Sequence, residues 1–177
     1  EMTFAVNHLA PFLLTHLLID ALRSGAPSRI VTTASNAHRN ANIAFDDLQA
    51  TRKYSPMGAY GSSKLANILF TRALAKRLSG TAVTATCVHP GFVRTNFGRN
   101  NEVALWVKVM FGLVSRFARS PQKGAETVVY LAASPRVQGE SGGYYFDCKP
   151  RAPSPAGQDD AAAERLWQVS EQLVGIA

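Results

Sequence analysis

The sequence predicts a single α/β domain in which helices cover both faces of a doubly wound parallel sheet. Helical and strand patterns alternate along the 177 residues, in the order that parallel crossover units require. The strand segments are short, rich in β-branched residues and without a regular period, as strands buried on both faces are. Apolar residues make up 46% of the chain and charged residues 18%, so the protein is globular and long enough to bury a substantial core.

The chain opens with a helix, a strand and a polar connection. Residues 1–23 repeat apolar side chains at helical spacing, and Gly25 and Pro27 end that pattern. RIVTTA at 29–34 has no helical period and is rich in β-branched residues, which predicts a buried strand. Residues 35–56 are rich in Asn, Asp, Arg and Ser and are predicted to form a loop.

The middle of the chain repeats the same alternation. Residues 58–78 form the second predicted helix, and their Leu and Ile side chains make one apolar stripe that can be buried. AVTATCVH at 82–89 is the second buried strand, and the sequence HPG at 89–91 stops it. Residues 103–114 are predicted to form a short amphipathic helix.

The last third of the chain is predicted to hold two helices and one strand. Pro121 lies at the start of a helix that reaches about residue 133. GYYFD at 143–147 predicts the final strand, and the proline-rich residues 150–155 predict a stiff linker. Asp159 or Asp160 then caps a terminal helix that reaches about residue 174.

The charge and the reactive side chains exclude several classes of function. The net charge is +7, but the basic residues are scattered and do not alternate with aromatic residues, so no nucleic-acid partner is predicted. Cys87 and Cys148 are too few for a disulfide framework or a zinc site, and they predict buried thiols in a reducing, cytoplasmic compartment. The histidines show no metal-ligand spacing, so no metal is predicted. We expect His38 to be solvated in a polar loop and His89 to be structural.

Membrane association is predicted only as a peripheral contact. The longest apolar run, at 103–114, is interrupted by Lys108 and is too short to span a bilayer. Its basic surroundings leave two interpretations open, which are contact with an anionic membrane surface and a plain buried helix. No signal peptide opens the chain. The helical pattern at residue 1 starts without a cap, so we expect the chain to begin inside a domain.

Five motifs stand in the order found in one known enzyme family. YGSSK at 60–64 matches the Tyr-x-x-x-Lys motif of the short-chain dehydrogenases/reductases, which the chain resembles over essentially its whole length. The spacing from Ser35 to Tyr60 and the sequence CKPRAPSP at 148–155 resemble the retinol-dehydrogenase-like branch of that family. The other four motifs are VNHLAPFLLT at 6–15, RIVTTAS at 29–35, HPGFVRTNF at 89–97 and GGYYFD at 142–147.

This resemblance implies a Rossmann-like fold and hydride transfer between NAD(P)(H) and an alcohol or carbonyl group. The family's Gly-rich phosphate loop and its Asn-Asn-Ala-Gly segment have no counterpart in the sequence. The chain therefore resembles the C-terminal part of one such domain, over 1–177, without the first strands of the sheet. The resemblance favours NADP over NAD as the cofactor, and it implies a homodimer built on the helices that begin near residues 1 and 58.

The substrate class follows from the residues at 103–114, where the family carries its variable substrate lid. The bulky apolar side chains of that segment favour a small lipophilic carbonyl or alcohol as the substrate.

The sequence leaves a second interpretation of the function open, because without the phosphate loop no evident binding site for the pyrophosphate of a dinucleotide is present. The alternative is a non-catalytic relative that keeps the fold for binding or assembly.

The resemblance also assigns roles to individual residues. Tyr60 would be the general acid and base, and Lys64 would favour the phenolate and reach the cofactor ribose. An unperturbed phenol has a pKa of about 10, so this chemistry requires a cation close to the hydroxyl. Ser35 would hydrogen-bond the substrate oxygen, and Asn7 would hold a water that links Lys64 to solvent. The residues expected to contact the nicotinamide cofactor are Tyr60, Lys64, Pro90, Gly91, Val93 and Thr95.

Overall fold

A computed structural model describes residues 2–93 and 118–176, and these contain a four-stranded sheet. The strands lie across the sheet in chain order. They are β1 at Ser28–Thr33, β2 at Val83–Val88, β3 at Tyr144–Phe146 and β4 at Lys149–Arg151. Strands β1, β2 and β3 are parallel, which confirms the predicted arrangement.

The antiparallel strand β4 shows that the linker predicted at 150–155 is wrong at its start. β4 pairs with β3 through a tight turn at Asp147 and Cys148, whose φ angles are 51° and 56°. Two consecutive positive φ angles give a hairpin turn the twist that its flanking strands require. The strand was not predicted because Pro150 argues against a strand in the sequence pattern. Proline is tolerated in a sheet on edge strands, and β4 is such a strand.

Four helices surround the sheet in the described part of the chain. They are α1 at Met2–Ser24, α2 at Pro56–Arg77, α3 at Pro121–Ala133 and α4 at Asp160–Val174. Helices α2, α3 and α4 each begin where a Ser or Asp side chain accepts a hydrogen bond from a backbone N–H of the first turn. These bounds agree with the predicted helices to within a few residues. The helix predicted at 103–114 lies outside the described residues.

Helices cover both faces of the sheet. The side chains of β2 alternate between the two faces, so each face carries apolar side chains that a helix can bury. On one face, α1, α2 and α4 pack over Val83 and Ala85 and enclose the main core. On the other face, α3 packs over Val88 through Leu131. This layered arrangement confirms the predicted Rossmann-like α/β fold class.

Helix α2 is buried on more than one side. Leu65 and Leu69 of the predicted stripe are buried, but so are the polar side chains of Ser63, Asn67 and Thr71. The helix lies between β2, α4 and the first turns of α1, so polar positions beside the stripe are also removed from solvent. Buried polar groups require hydrogen-bond partners, and the Ser63 hydroxyl and the Asn67 amide nitrogen have theirs next to the candidate site.

The buried reactive side chains agree only partly with the predictions. Cys87 is buried as predicted, and burial raises the pKa of its thiol to about 12. Cys148 is only partly buried. His38 is wholly buried, so the prediction that it is solvated is wrong. It lies in a 3-10 helix at Asn36–Asn40, which replaces the first part of the loop predicted at 35–56.

Helix α1 carries an exposed apolar surface that the sequence analysis overlooked. The exposed large side chains of this helix are Met2, Val6, Leu14, Leu17 and Leu18. Among the described residues, α1 is the one helix whose length and composition would allow it to cross a membrane. Length and composition do not by themselves separate a membrane span from a helix of a folded domain.

Candidate active site

The first part of the candidate site lies where β1 and β2 end. The backbone N–H of Ala34 donates to the carbonyl of Val88 at 2.8 Å, so the pairing of the two strands continues one residue beyond β1. Ser35 follows on one strand, and the turn that starts at His89 follows on the other. The carboxyl edge of a parallel sheet is where α/β proteins bind their ligands.

Ser35 holds its side chain in a defined orientation. Its backbone is extended, with φ −154° and ψ 155°, and it caps the 3-10 helix that follows. The Oγ atom accepts a hydrogen bond from the backbone N–H of Ala37 at 3.3 Å. A hydroxyl can donate one hydrogen bond besides those it accepts. The Ser35 hydroxyl proton can therefore serve an oxygen at this edge.

Tyr60 and Lys64 lie together on α2, one helical turn apart. The Lys64 Nζ atom lies 5.6 Å from the centre of the Tyr60 ring, and both side chains are half-buried. Nζ donates to the carbonyl oxygen of Thr33, the last residue of β1, at 3.2 Å. Burial lowers the pKa of the Lys64 ammonium. An ammonium has three donors, so two remain for other acceptors.

A close backbone approach brings Tyr60 to the segment that carries Ser35. A Cβ atom at Gly61 would lie only 3.0 Å from the carbonyl oxygen of Ala37, so glycine is required for this contact. On the same side of the helix, the Ser62 hydroxyl donates to the carbonyl of Asn42 at 2.8 Å. These contacts fix the start of α2 against the 3-10 helix that follows Ser35.

Asn7 connects to the same helix through a buried serine. It lies in a π-helical turn at Ala5–Leu9 within α1, a local geometry that is frequent at functional sites. The Asn7 Nδ2 atom donates to Ser63 Oγ at 3.0 Å, and Ser63 Oγ donates to the Tyr60 carbonyl at 2.8 Å. Asn67 Nδ2 donates to the Thr33 carbonyl at 3.1 Å, the same oxygen that Lys64 contacts. Ser63 and Asn67 were missed in the sequence, although both lie three residues from a candidate residue on one helix face.

The turn after β2 is held from outside by an ion pair. The backbone N–H of Arg119 donates to the Phe92 carbonyl at 2.8 Å, and its guanidinium makes two hydrogen bonds to the Asp147 carboxylate. The guanidinium also lies 4.6 Å from the ring centre of Phe146. Burial, with the positive charge of Arg119, lowers the pKa of His89 to about 4. His89 is therefore neutral at physiological pH, as a structural residue is expected to be.

Three of the four predicted nicotinamide contacts in this turn are described. Pro90 and Gly91 follow His89, and Val93 forms an isolated parallel bridge with Arg119. Gly91 has a φ of +87°, a conformation that favours glycine. Thr95 lies outside the described residues. The sequence does not reveal that Arg119 pairs with Asp147, although Asp147 ends the motif GGYYFD, because the pair forms only when distant segments come together.

We expect Gly91→Ala to destabilise the protein more than Gly139→Ala does. Both glycines have a φ near +80°, so each alanine suffers a backbone penalty of roughly 1–2 kcal/mol. A Cβ at Gly91 would also lie 2.8 Å from Arg119 Cδ, whereas a Cβ at Gly139 meets nothing within 4 Å. Denaturant unfolding of both variants measures the difference. Equal losses of unfolding free energy in the two variants would show that the Arg119 side chain moves away from the new Cβ without cost.

The donor set at this edge fits a nicotinamide nucleotide. The Tyr60 hydroxyl and the two remaining Lys64 donors suit ribose hydroxyls. No group of three or more His, Cys, Asp or Glu side chains that could hold a metal occurs in residues 2–93 and 118–176.

Comparison with known proteins finds relatives over the whole length of the chain. The family model described as short chain dehydrogenase matches residues 1–105. The chain is 51% identical to Retinol dehydrogenase 14 of Homo sapiens, over 99% of this chain and 53% of that protein. It is 46% identical to Retinol dehydrogenase 12 of Mus musculus, over 99% of this chain and 55% of that protein. The chain thus spans about half the length of the curated relatives it matches.

A solved structure agrees with the fold described above. The crystal structure of an uncharacterized protein from Mycobacterium Paratuberculosis superposes with a TM-score of 0.70 at 32% identity. The match covers 98% of this chain and 58% of that chain. The chain is therefore similar to part of a longer protein chain in both sequence and structure.

Proposed function

The chain belongs to the short-chain dehydrogenase family, in its retinol-dehydrogenase-like branch, and from this premise we propose that it carries the catalytic residues of an NAD(P)-dependent oxidoreductase. The proposed reaction interconverts an apolar alcohol with its aldehyde or ketone. The observation that carries the proposal is the position of the Lys64 ammonium 5.6 Å from the Tyr60 ring, on a helix packed against the segment that bears Ser35.

The residues of the chain divide the proton chemistry between them. A bound nicotinamide supplies or accepts the hydride. Tyr60 gives its hydroxyl proton to the substrate oxygen during reduction and takes it back during oxidation. The positive charge of Lys64 stabilises the negative charge that is left on the Tyr60 oxygen. Ser35 donates its hydroxyl proton to the substrate oxygen in a hydrogen bond and so orients the reacting carbon.

Asn7 completes the proposed site from α1. Its side-chain amide donates to Ser63, and the second hydrogen of that amide can donate to a bridging water. Such a water would connect Lys64 to solvent and restore the proton that Tyr60 gives up. The role of Thr95, with Pro90, Gly91 and Val93, in binding the cofactor also stays a proposal.

The finer properties of the whole protein are proposed from the relatives' names and from the surface of α1. The relatives are named as retinol dehydrogenases, which supports a lipophilic alcohol or carbonyl substrate and, by resemblance, NADP as the preferred cofactor. The exposed leucines of α1 support an apolar partner surface, and we propose a homodimer there. A cytoplasmic location with peripheral membrane contact also stays a prediction.

The substrate class can be tested with the complete protein that carries this chain. We expect oxidation of NADPH or NADH in the presence of straight-chain aldehydes, with kcat/KM rising as the chain lengthens. Each buried CH2 group is worth about 0.8 kcal/mol, or about a fourfold gain. Aldehydes of equal length with a terminal hydroxyl serve as the matched control, because they offer the same carbonyl with less apolar surface. Equal kcat/KM values for the two series would contradict a lipophilic site.

The alternative of a non-catalytic relative makes a different prediction. A protein that only preserves the fold has no need of a bound dinucleotide. Isothermal calorimetry of the complete protein with NADPH and NADH separates the two functions before any substrate is known. If neither cofactor binds, the oxidoreductase proposal fails and the binding or assembly role stands.

A further inference from the structure

The side chain of His38 is wholly buried, and the proposed reaction gives it no role. It lies three residues after Ser35 in the 3-10 helix. Its Nδ1 atom lies 2.6 Å from the Ser35 carbonyl oxygen, and its Nε2 atom lies 3.1 Å from the backbone nitrogen of Ser154. One imidazole therefore joins the end of β1 to a segment more than a hundred residues later in the chain.

These two partners determine the form of the imidazole. A carbonyl oxygen can only accept and a backbone N–H can only donate, so Nδ1 carries the hydrogen and Nε2 offers its lone pair. The ring must then be neutral, because an imidazolium would set an N–H against the N–H of Ser154. Burial and the positive charge of Arg39 both lower the pKa of His38, although the hydrogen bond to Ser35 opposes them. The other groups that face it are the ring of Tyr144, at 5.2 Å, and the imidazole of His89.

The hydrogen bonds of His38 act directly on Ser35. The Ser35 carbonyl accepts from the His38 backbone N–H at 3.2 Å as well as from Nδ1. At the other end of the residue, Oγ accepts from the N–H of Ala37. Ser35 is thus held through both its carbonyl and its hydroxyl, and the remaining freedom is the direction of the hydroxyl proton. Losing the Nδ1 bond would leave the Ser35 carbonyl with the longer bond from the His38 backbone N–H and would hold this peptide less firmly.

The segment that contacts Nε2 is itself anchored. Ser154 is buried, and its neighbour Ala152 accepts a hydrogen bond from Arg39 Nη2 at 3.2 Å. The Arg39 Nε atom donates to Asn36 Oδ1 at 2.8 Å. Two hydrogen bonds therefore join the 3-10 helix to the residues after β4. The bond from Ser154 to His38 is buried, and the bond from Arg39 to Ala152 is exposed.

We propose that His38 is a positioning residue for the reaction, in which its neutral imidazole fixes Ser35 against the segment at Ser154. This inference rests on the proposed function, because it assumes that the Ser35 hydroxyl contacts the substrate oxygen. It gives a catalytic consequence to the contact between His38 and Ser154. Ser154 lies after β4, in the sequence CKPRAPSP at 148–155 and outside the five motifs.

Two substitutions separate the two hydrogen bonds of the ring. His38→Asn places an amide N–H near the position of Nδ1 and keeps the bond to Ser35, whereas His38→Gln places an amide oxygen near Nε2 and keeps the bond to Ser154. In the complete protein with bound cofactor, we expect His38→Gln to lower kcat by about tenfold or more, since a small misplacement of a reacting group is costly. We expect His38→Asn to stay within threefold of wild type. The KM for the cofactor should be unchanged in both.

The melting temperatures of the two variants supply the structural control. Each variant loses one buried hydrogen bond, worth roughly 1 kcal/mol, so their losses of stability should be similar. A kcat that falls equally in the two variants, or that follows the melting temperature, overturns the positioning role. If Tyr60→Phe leaves the rate unchanged, the proposed function has failed instead, so the two failures are distinguishable.

A spectroscopic measurement reads the same geometry without any turnover. In spectra of protein labelled with nitrogen-15 histidine, the His38 ring should show the Nδ1–H tautomer and become charged only below the ordinary histidine pKa of about 6.5. The signal should persist in His16→Gln, which removes a histidine of α1. Observation of the Nε2–H tautomer, or of a charged ring near neutral pH, would overturn the inference.

Discussion

Tyr60→Phe is expected to lower kcat of the carbonyl reduction by roughly 10²–10⁴-fold, the usual contribution of a general acid. The substitution removes one oxygen and leaves the ring beside Lys64, whose Nζ lies 5.6 Å from the ring centre. The Tyr60 side chain is only half-buried, so the variant should fold. Its affinity for the cofactor should fall by no more than about tenfold, the loss of one hydrogen bond to the ribose. Initial rates of cofactor oxidation, together with a calorimetric dissociation constant, measure the two effects separately.

The matched control for this experiment is Tyr54→Phe. Tyr54 is 58% exposed and precedes the start of α2 by two residues, so it shares the neighbourhood of Tyr60 without a place in the site. We expect its kcat to stay within a factor of about two of wild type, as for surface substitutions generally. A Tyr60→Phe variant that retained more than a third of the wild-type rate would refute the general acid role.

The parts of the fold that could be predicted from the sequence are those encoded by local patterns. β2 is predicted from the sequence because AVTATCVH at 82–89 is rich in apolar and β-branched residues and ends in His-Pro-Gly at 89–91. α2 is predicted from the sequence because its apolar period is long. A short strand such as β4 gives no such pattern, since three residues that include Pro150 carry no period. Its existence depends on the turn at Asp147 and Cys148, which only the pairing with β3 reveals.

The candidate site shows the same division between local and distant information. The spacing of Tyr60 and Lys64 predicts that their side chains share a helix face, and the structure has them adjacent. The burial of His38 could not be predicted, because it depends on Ser154, 116 positions later in the chain. The Arg119–Asp147 pair is hidden for the same reason, as its members are 28 positions apart. Motif recognition thus finds the reacting groups, whereas the contacts that hold them are set by tertiary packing.

Lys64→Met is expected to lower kcat by about two powers of ten while leaving the protein folded. At the 5.6 Å between Nζ and the Tyr60 ring centre, a unit charge stabilises a phenolate by about 3 kcal/mol at an effective dielectric constant of about 20. That energy corresponds to roughly a hundredfold in rate. Methionine keeps the apolar length of the lysine but has no charge and no donor. The rate of cofactor oxidation measures the loss.

The stability of this variant distinguishes a catalytic role for the charge from a structural one. Removing Nζ takes one donor from the Thr33 carbonyl, but Asn67 Nδ2 still donates to that oxygen at 3.1 Å, so no buried acceptor is left without a partner. The melting temperature should therefore stay close to that of wild type. Lys76→Met on the same helix is the control, because it removes an exposed ammonium that pairs with Asp160 and should affect neither rate nor stability strongly. If the activity of Lys64→Met falls only in proportion to its stability, the ammonium supports the helix and takes no part in the proton transfer.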